Sequence, residues 1–334
     1  MKIAIVGAGV AGSFLYALLV QNTRHHVDIY DAKPIRGMGC AWAVPERQFK
    51  DLLSEVGLNA YDYLLSRVSL TDSEGVVYKL HNMITINKPR LLSDLVKSKL
   101  IKVTKVTSPP KGYDLIVDAT GFERALLGPP KGIYFYASCV QYVSEVPTLV
   151  EGQAAAALSP YGYAWAMPLV KDRYHYGAGA IVKEHVYELL RKLECRHPRR
   201  KDYCSCKKTI LASAPSLIEP KILRLNETVI VGVGEAVGTT QVFSYEGIVP
   251  ALKSAKLLAE NIEDVDAYIS LLIADSEFKY HRPLTLAYQD FLRSRFFNTF
   301  KLIKNMPKGR YGSEISKLSK LKLTAKMLLS LWFG

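Results

Sequence analysis

Six residues near the amino terminus restrict this chain more than any other feature. Gly7-Ala8-Gly9-Val10-Ala11-Gly12 follows the apolar run Lys2-Ile3-Ala4-Ile5-Val6 and precedes the helix-like stretch Ser13–Gln21. A second strand-like run, His26-Val27-Asp28-Ile29-Tyr30, then ends at Asp31. Strand, glycine turn, helix and strand in that order make a βαβ unit. In such a unit Gly7 permits the tight turn, Gly9 lets backbone N–H groups approach a pyrophosphate, and Gly12 allows close packing of helix on strand. Ala11 belongs to the same turn. The helix start faces the phosphates, and Asp31 accepts hydrogen bonds from ribose hydroxyls. The glycine pattern alone does not separate NAD from FAD.

The rest of the chain alternates between helix and sheet periods. Residues 47–66 and the stretch after Arg90 read as helix, and Leu115-Ile116-Val117 as a buried parallel strand. Residues 133–145 and 161–182, rich in Tyr, Val, Trp and Ile, read as antiparallel sheet, and 183–194 as helix. Thr228–Val231 is a further buried strand, and an amphipathic helix spans about 247–262. From 266 the pattern is helical and increasingly basic. The expected fold class is α/β. A Rossmann-type nucleotide domain, 1–125 plus 225–265, is interrupted by a mainly antiparallel sheet domain, 126–224, and followed by a helical basic region, 266–334.

Later motifs point to FAD. Val117-Asp118-Ala119-Thr120-Gly121 resembles the strand-end Ala-Thr-Gly element of two-dinucleotide-type flavoproteins. Gly232-Val233-Gly234-Glu235-Ala236 resembles their second FAD motif, with Glu235 where an aspartate usually binds the ribityl chain. Ser244-Tyr245-Glu246-Gly247-Ile248 resembles the loop beside the isoalloxazine ring, and Arg90-Leu91-Leu92 resembles a helix start whose arginine approaches the pyrophosphate. The resemblance implies FAD contacts from Ala119, Thr120, Gly121, Gly234, Glu235, Gly247, Ile248 and Arg90.

Tyr163-Ala164-Trp165-Ala166-Met167-Pro168, followed after eight residues by Gly177-Ala178-Gly179, resembles the Tyr-x-Trp-x-Phe-Pro…Gly-x-Gly signature of the geranylgeranyl reductase family. Aromatic side chains alternating along a strand line one face of a sheet. That face is either a packed core or a wall holding an apolar chain, and the resemblance favours the wall, with Tyr163 and Trp165 at the site. Pro34–Trp42 matches the family's loop ending in Cys-Gly near the flavin, here Cys40-Ala41. Cys40 is either an active-site thiol or a small packing residue. The family implies reduction of isoprenoid double bonds. Only one nucleotide fingerprint is present, so the electrons are expected from transiently bound NAD(P)H or, given the basic charge, a reduced acidic ferredoxin. An FAD monooxygenase of an aromatic or apolar small molecule shares the FAD motifs and is the first rival. A flavin-binding membrane-associated protein without turnover is the second.

Charge and cysteine content bear on partners. The 334 residues carry a formal net charge of +13, which attracts anionic partners. No recognition motif accompanies it, so nucleic acid is not expected. Leu318, Leu321, Ala325, Leu328, Leu329 and Trp332 share a helical face among lysines. That helix either rests on anionic lipid or closes the core. The apolar amino-terminal stretch is broken by three glycines and lacks a cleavage site, so the expected location is cytoplasmic, with peripheral contact at the inner membrane face under the first reading of the tail. Cys195, His197, Cys204 and Cys206 leave a disulfide, a zinc site and free thiols open, and no metal is assigned.

Overall fold

Lys2–Val6, Leu115–Asp118 and Thr228–Gly232 are almost continuously apolar because they are buried on both faces of a sheet. A computed structural model of the chain describes residues 1–22, 24–33, 40–97, 100–226 and 228–293. Its first sheet has six strands in the order Ile222–Leu225, Thr228–Gly232, Leu115–Asp118, Lys2–Val6, His26–Asp31, Ile101–Val103. All neighbours are parallel except the antiparallel edge strand Ile222–Leu225. The register sets Val6 and Gly232 both beside Asp118. The turns after these three strands therefore emerge along one edge of the sheet, where parallel α/β folds bind ligands.

Helices Val10–Asn22 and Ile248–Glu260 bury Phe14, Leu15 and Leu19, and Leu252, Ala255 and Leu258, in one core. Lys88–Val96 adds Leu91 and Leu95 to it, and Asn87 caps this helix by accepting from Arg90 N–H at 3.1 Å. A small sheet of Ala43–Pro45, Met83–Ile86 and Leu64–Arg67 lies alongside.

The second large sheet has seven strands: Asp202–Ala212, Phe135–Glu145, Arg173–Ala180, Gly162–Pro168, Gln153–Ser159, Leu70–Ser73 and Val76–Lys79. Its outer face is rich in alanine, which lets helix Glu184–Glu194 approach and bury Val186, Leu189, Leu190 and Leu193. The other face turns toward the nucleotide sheet. Helices Val265–Ala274 and Ser276–Arg293 complete the described chain. Tyr288 of the latter donates to the Pro160 carbonyl at 2.9 Å and packs near Ala212 and Val242.

The helix expected over 47–66 is instead Glu46–Ser54, a single turn Ala60–Tyr63, and strand Leu64–Arg67. Gly57, at φ +69°, takes the left-handed conformation that ends such a helix. The strands at 70–79 lie inside the segment assigned to the nucleotide domain, yet Leu70–Ser73 pairs with Gln153–Ser159 and carries Val76–Lys79 as the edge of the seven-stranded sheet.

All five cysteines are free thiols. His197 is taken up by structure: its ring nitrogens meet Asp72 Oδ2 at 3.0 Å and Thr148 Oγ1 at 3.1 Å, while Arg196 pairs with Asp72 Oδ1. This ion-pair cluster fastens the end of helix Glu184–Glu194 to strand Leu70–Ser73. Among the described residues no three His, Cys, Asp or Glu side chains group as metal ligands, and no helix is long and apolar enough to cross a membrane. The basic tail with Leu318–Trp332 lies outside the described residues.

Candidate active site

The glycine turn has the shape its spacing predicts. A Cβ on Gly7 would lie 2.4 Å from the Ala119 carbonyl oxygen, and one on Gly12 only 1.9 Å from the Gly7 oxygen. A Cβ on Gly9 would meet nothing within 4 Å, because Gly9 borders a cleft of about 590 Å³. Val6–Ala11, Asp31, Ala119, Thr120, Gly121, Glu235, Gly247 and Ile248 line that cleft. Gly12 and Gly234 serve beneath it: a Cβ on Gly234 would press 2.7 Å from the Ala11 methyl.

Asp31 Oδ2 accepts from Ala8 N–H at 2.7 Å and Oδ1 from Lys33 N–H at 2.9 Å, which orients the carboxylate at the cleft. Asp118 is fully buried and was missed as a functional residue by sequence reasoning. Its carboxylate accepts from Thr120 N–H, Thr120 Oγ1, Leu126 N–H and Leu127 N–H at 2.6–3.1 Å, holding the Ala119-Thr120-Gly121 turn open to the cleft. Glu235 Oε1 accepts from Leu211 N–H at 2.8 Å, and Oε2 faces Lys208 at 3.7 Å. Arg90 lies outside the cleft. Its guanidinium reaches the Asp62 carbonyl at 3.0 Å and Asp94 at 3.8 Å, while Lys88, two residues earlier, lines the cleft in its place.

A second cavity of about 290 Å³ opens from the cleft's inner end. Trp42, Tyr163, Trp165, Met167, Phe243 and Tyr288 are among its walls, and Cys40, Lys208, Tyr245, Gly247 and Ile248 border both spaces. The structure thus brings Cys40, Tyr163 and Trp165 together. Tyr163 stacks on Tyr245, with ring centroids 5.7 Å apart, and donates to the Ser244 carbonyl at 2.5 Å. Burial raises the Tyr163 hydroxyl well above its ordinary range, so it stays protonated at neutral pH.

Gln141, 3% exposed, organises this wall. Its Nε2 donates to the Cys40 carbonyl at 3.1 Å and meets His175 Nδ1 at 2.9 Å, while its Oε1 accepts from Trp165 Nε1 at 3.3 Å. An indole nitrogen only donates, so the amide orientation is fixed. His175 Nδ1 must then accept, which puts the imidazole proton on Nε2. That nitrogen is buried without a hydrogen-bond partner. The His175 ring packs edge-on against Trp42, 4.2 Å between centroids, and Trp42 is held at φ +57°. Burial first, and the Lys88 charge second, push His175 down to about 3. Nothing in the sequence singles out Gln141 or His175; only sheet register brings them beside Trp165.

The thiols differ in environment. Burial pushes Cys139 up to about 12 and raises Cys206 as well, which disfavours their thiolates. Cys40 is half-buried and receives the Lys88 ammonium at 3.4 Å.

No family model matches the chain. An uncharacterised protein of Methanocaldococcus jannaschii is 25% identical, over 91% of this chain and 94% of that protein. A geranylgeranyl bacteriochlorophyll reductase-like protein from Thermoplasma acidophilum superposes with a TM-score of 0.63 at 14% identity, covering 99% of this chain and 97% of that one. Klebsiella pneumoniae HpxO, in complex with FAD and uric acid, gives a TM-score of 0.63 at 14% identity over 100% and 98% of the two chains. The chain has the fold that this reductase-like protein and this FAD-bound protein share.

Proposed function

We propose that the protein is an FAD-dependent oxidoreductase that reduces carbon–carbon double bonds of an isoprenoid chain. One observation carries this reading: an apolar, aromatic-walled cavity opens directly onto the inner end of the dinucleotide cleft, at Cys40 and Tyr245. The cleft fits FAD through the open side of Gly9, the oriented Asp31 carboxylate and the Asp118-braced turn. Reduced FAD would supply a hydride to one alkene carbon, with a proton going to its neighbour. The chain's own residues do the rest. Trp165 and Tyr163 hold the alkene flat, Gln141 fixes the indole, and the apolar walls exclude water. NAD(P)H or a small acidic ferredoxin is the electron source in this reading, and an anionic membrane face the place where the basic chain meets lipid.

A second reading, an FAD monooxygenase of a small apolar or aromatic compound, is favoured by cavity size. About 290 Å³ sits at the lower edge of the range for ligand pockets, about 300–1,000 Å³, and suits a compact substrate or one segment of a chain. Anaerobic single-turnover experiments separate the two. The FAD-loaded protein, chemically reduced without oxygen, is mixed with a geranylgeranyl lipid while flavin absorbance and product mass are followed. Reoxidation with a product two hydrogens heavier per bond supports the reductase. Reoxidation that requires oxygen and yields an oxygenated product replaces it with the monooxygenase. Tight FAD without either response leaves a binding protein.

A further inference from the structure

Two ammonium groups approach Cys40 where cleft and cavity join. Lys88 opens the helix Lys88–Val96, lines the cleft, and is 9% exposed. Among the described residues its one hydrogen-bond partner is Cys40 Sγ at 3.4 Å, and it forms no ion pair with a carboxylate. Lys208 comes from the opposite side, on strand Asp202–Ala212, and borders both spaces. The carboxylate facing it is Glu235, at 3.7 Å, whose other oxygen is engaged by Leu211 N–H. Glu246 lines the apolar cavity and acts on Tyr163, while Asp31 lies at the glycine-turn end of the cleft.

Lys88 is thus a buried cation without a carboxylate partner among the described residues, and Lys208 has only the more distant, partly engaged Glu235. A buried ammonium without a counter-charge is costly, and proteins retain such groups where a ligand completes the pairing. The nearby apolar wall lowers the local dielectric and strengthens attraction for any anion that arrives. We propose that Lys88 and Lys208 form an anion subsite beside Cys40 for a delocalised negative charge on the bound ligand. The charge comes from one of two sources: the cofactor's ring system once reduced, or an acidic headgroup on the substrate. The proposal rests on FAD occupying the cleft and is independent of which substrate is reduced.

The test uses the FAD-loaded protein and its Lys88→Met, Lys208→Met and Lys88→Arg variants. In one arm the reduction potential of bound FAD is measured by dye equilibration. If the reduced ring is the anion, each methionine variant loses about tenfold of its preference for reduced over oxidised FAD, about 30 mV for a two-electron couple. Lys88→Arg, which keeps the charge, stays near the parent. In the other arm inorganic diphosphate is titrated into the oxidised protein and flavin absorbance is read. If a headgroup is the anion, the diphosphate Kd rises about tenfold or more in the methionine variants and the potential does not move. Potentials and diphosphate affinities that both match the parent, in variants that melt like it, overturn the subsite. Should Lys88→Met fail to fold, Lys208→Met decides, since its side chain is reached from the cavity. Colourless parent protein would defeat the flavin reading itself, a separate result.

Discussion

Trp165 donates its indole N–H to Gln141 across the intervening strand, at 3.3 Å, and Gly177 lies between them. Only a residue without a side chain lets the indole lie over that strand. A Cβ on Gly177 would stand 2.9 Å from the Trp165 ring and 2.7 Å from the Val140 carbonyl. Gly177→Ala should therefore displace the indole and destabilise the fold by about 1–3 kcal/mol. Equilibrium denaturation measures the loss. A variant as stable as the parent would mean that the ring does not cross the strand.

Gln141→Leu removes three hydrogen bonds at once. It strands the Trp165 N–H and the Cys40 carbonyl in a wall with little water, at about 1–3 kcal/mol for each group left unpaired. The midpoint of chemical unfolding should drop, and turnover should fall through a lower kcat because the wall loses its orientation. Unchanged stability would argue that these groups find water in solution.

His175 makes stability depend on pH in a defined window. Its pKa in the fold is about 3, against about 6.5 for an unfolded histidine. Between those values the unfolded chain binds a proton that the folded chain refuses. Stability from this residue is therefore complete above about pH 6.5 and declines as pH falls, by up to about 1.4 kcal/mol per unit. His175→Gln should flatten the stability profile between pH 4 and 6.5. Parallel profiles for parent and variant would refute the neutral state of His175 in the fold.

Much of the nucleotide half was legible because its signals are local. The glycines of Gly7–Gly12 span a strand end and the first turn of the helix contiguous with it, so periodicity and glycine spacing suffice. Ala60–Arg67 was not legible. Its apolar spacing fits a helix, and only pairing with distant Met83–Ile86 makes Leu64–Arg67 a strand. Arg90 fails for a related reason. The resemblance was judged on an arginine near a helix start, whereas helix phase turns Lys88 to the cleft and Arg90 toward Asp62 and Asp94. Gln141, His175 and Lys208 come from three segments joined by antiparallel register, which no local pattern encodes.

Gly12→Ala tests the floor of the cleft directly. The added methyl would sit 1.9 Å from the Gly7 oxygen, a backbone atom that cannot swing aside. Helix and turn must separate, which should lower both stability and cofactor affinity, each by about 1–3 kcal/mol. Fluorescence titration of stripped protein with FAD gives the affinity. Equal Kd values for parent and variant would place the cofactor elsewhere.

The pairing of Leu70–Ser73 with Gln153–Ser159 has a consequence for how the molecule is made. On the ribosome, strands 70–79 emerge long before their partner has been translated, and they stay without a sheet to join until it appears. Nascent chains halted between these points carry an open hairpin edge, the kind that attracts foreign strands. Excising 126–224 as a stand-alone piece would strip the same seam from the other side, so biosynthesis and truncation meet one weak point.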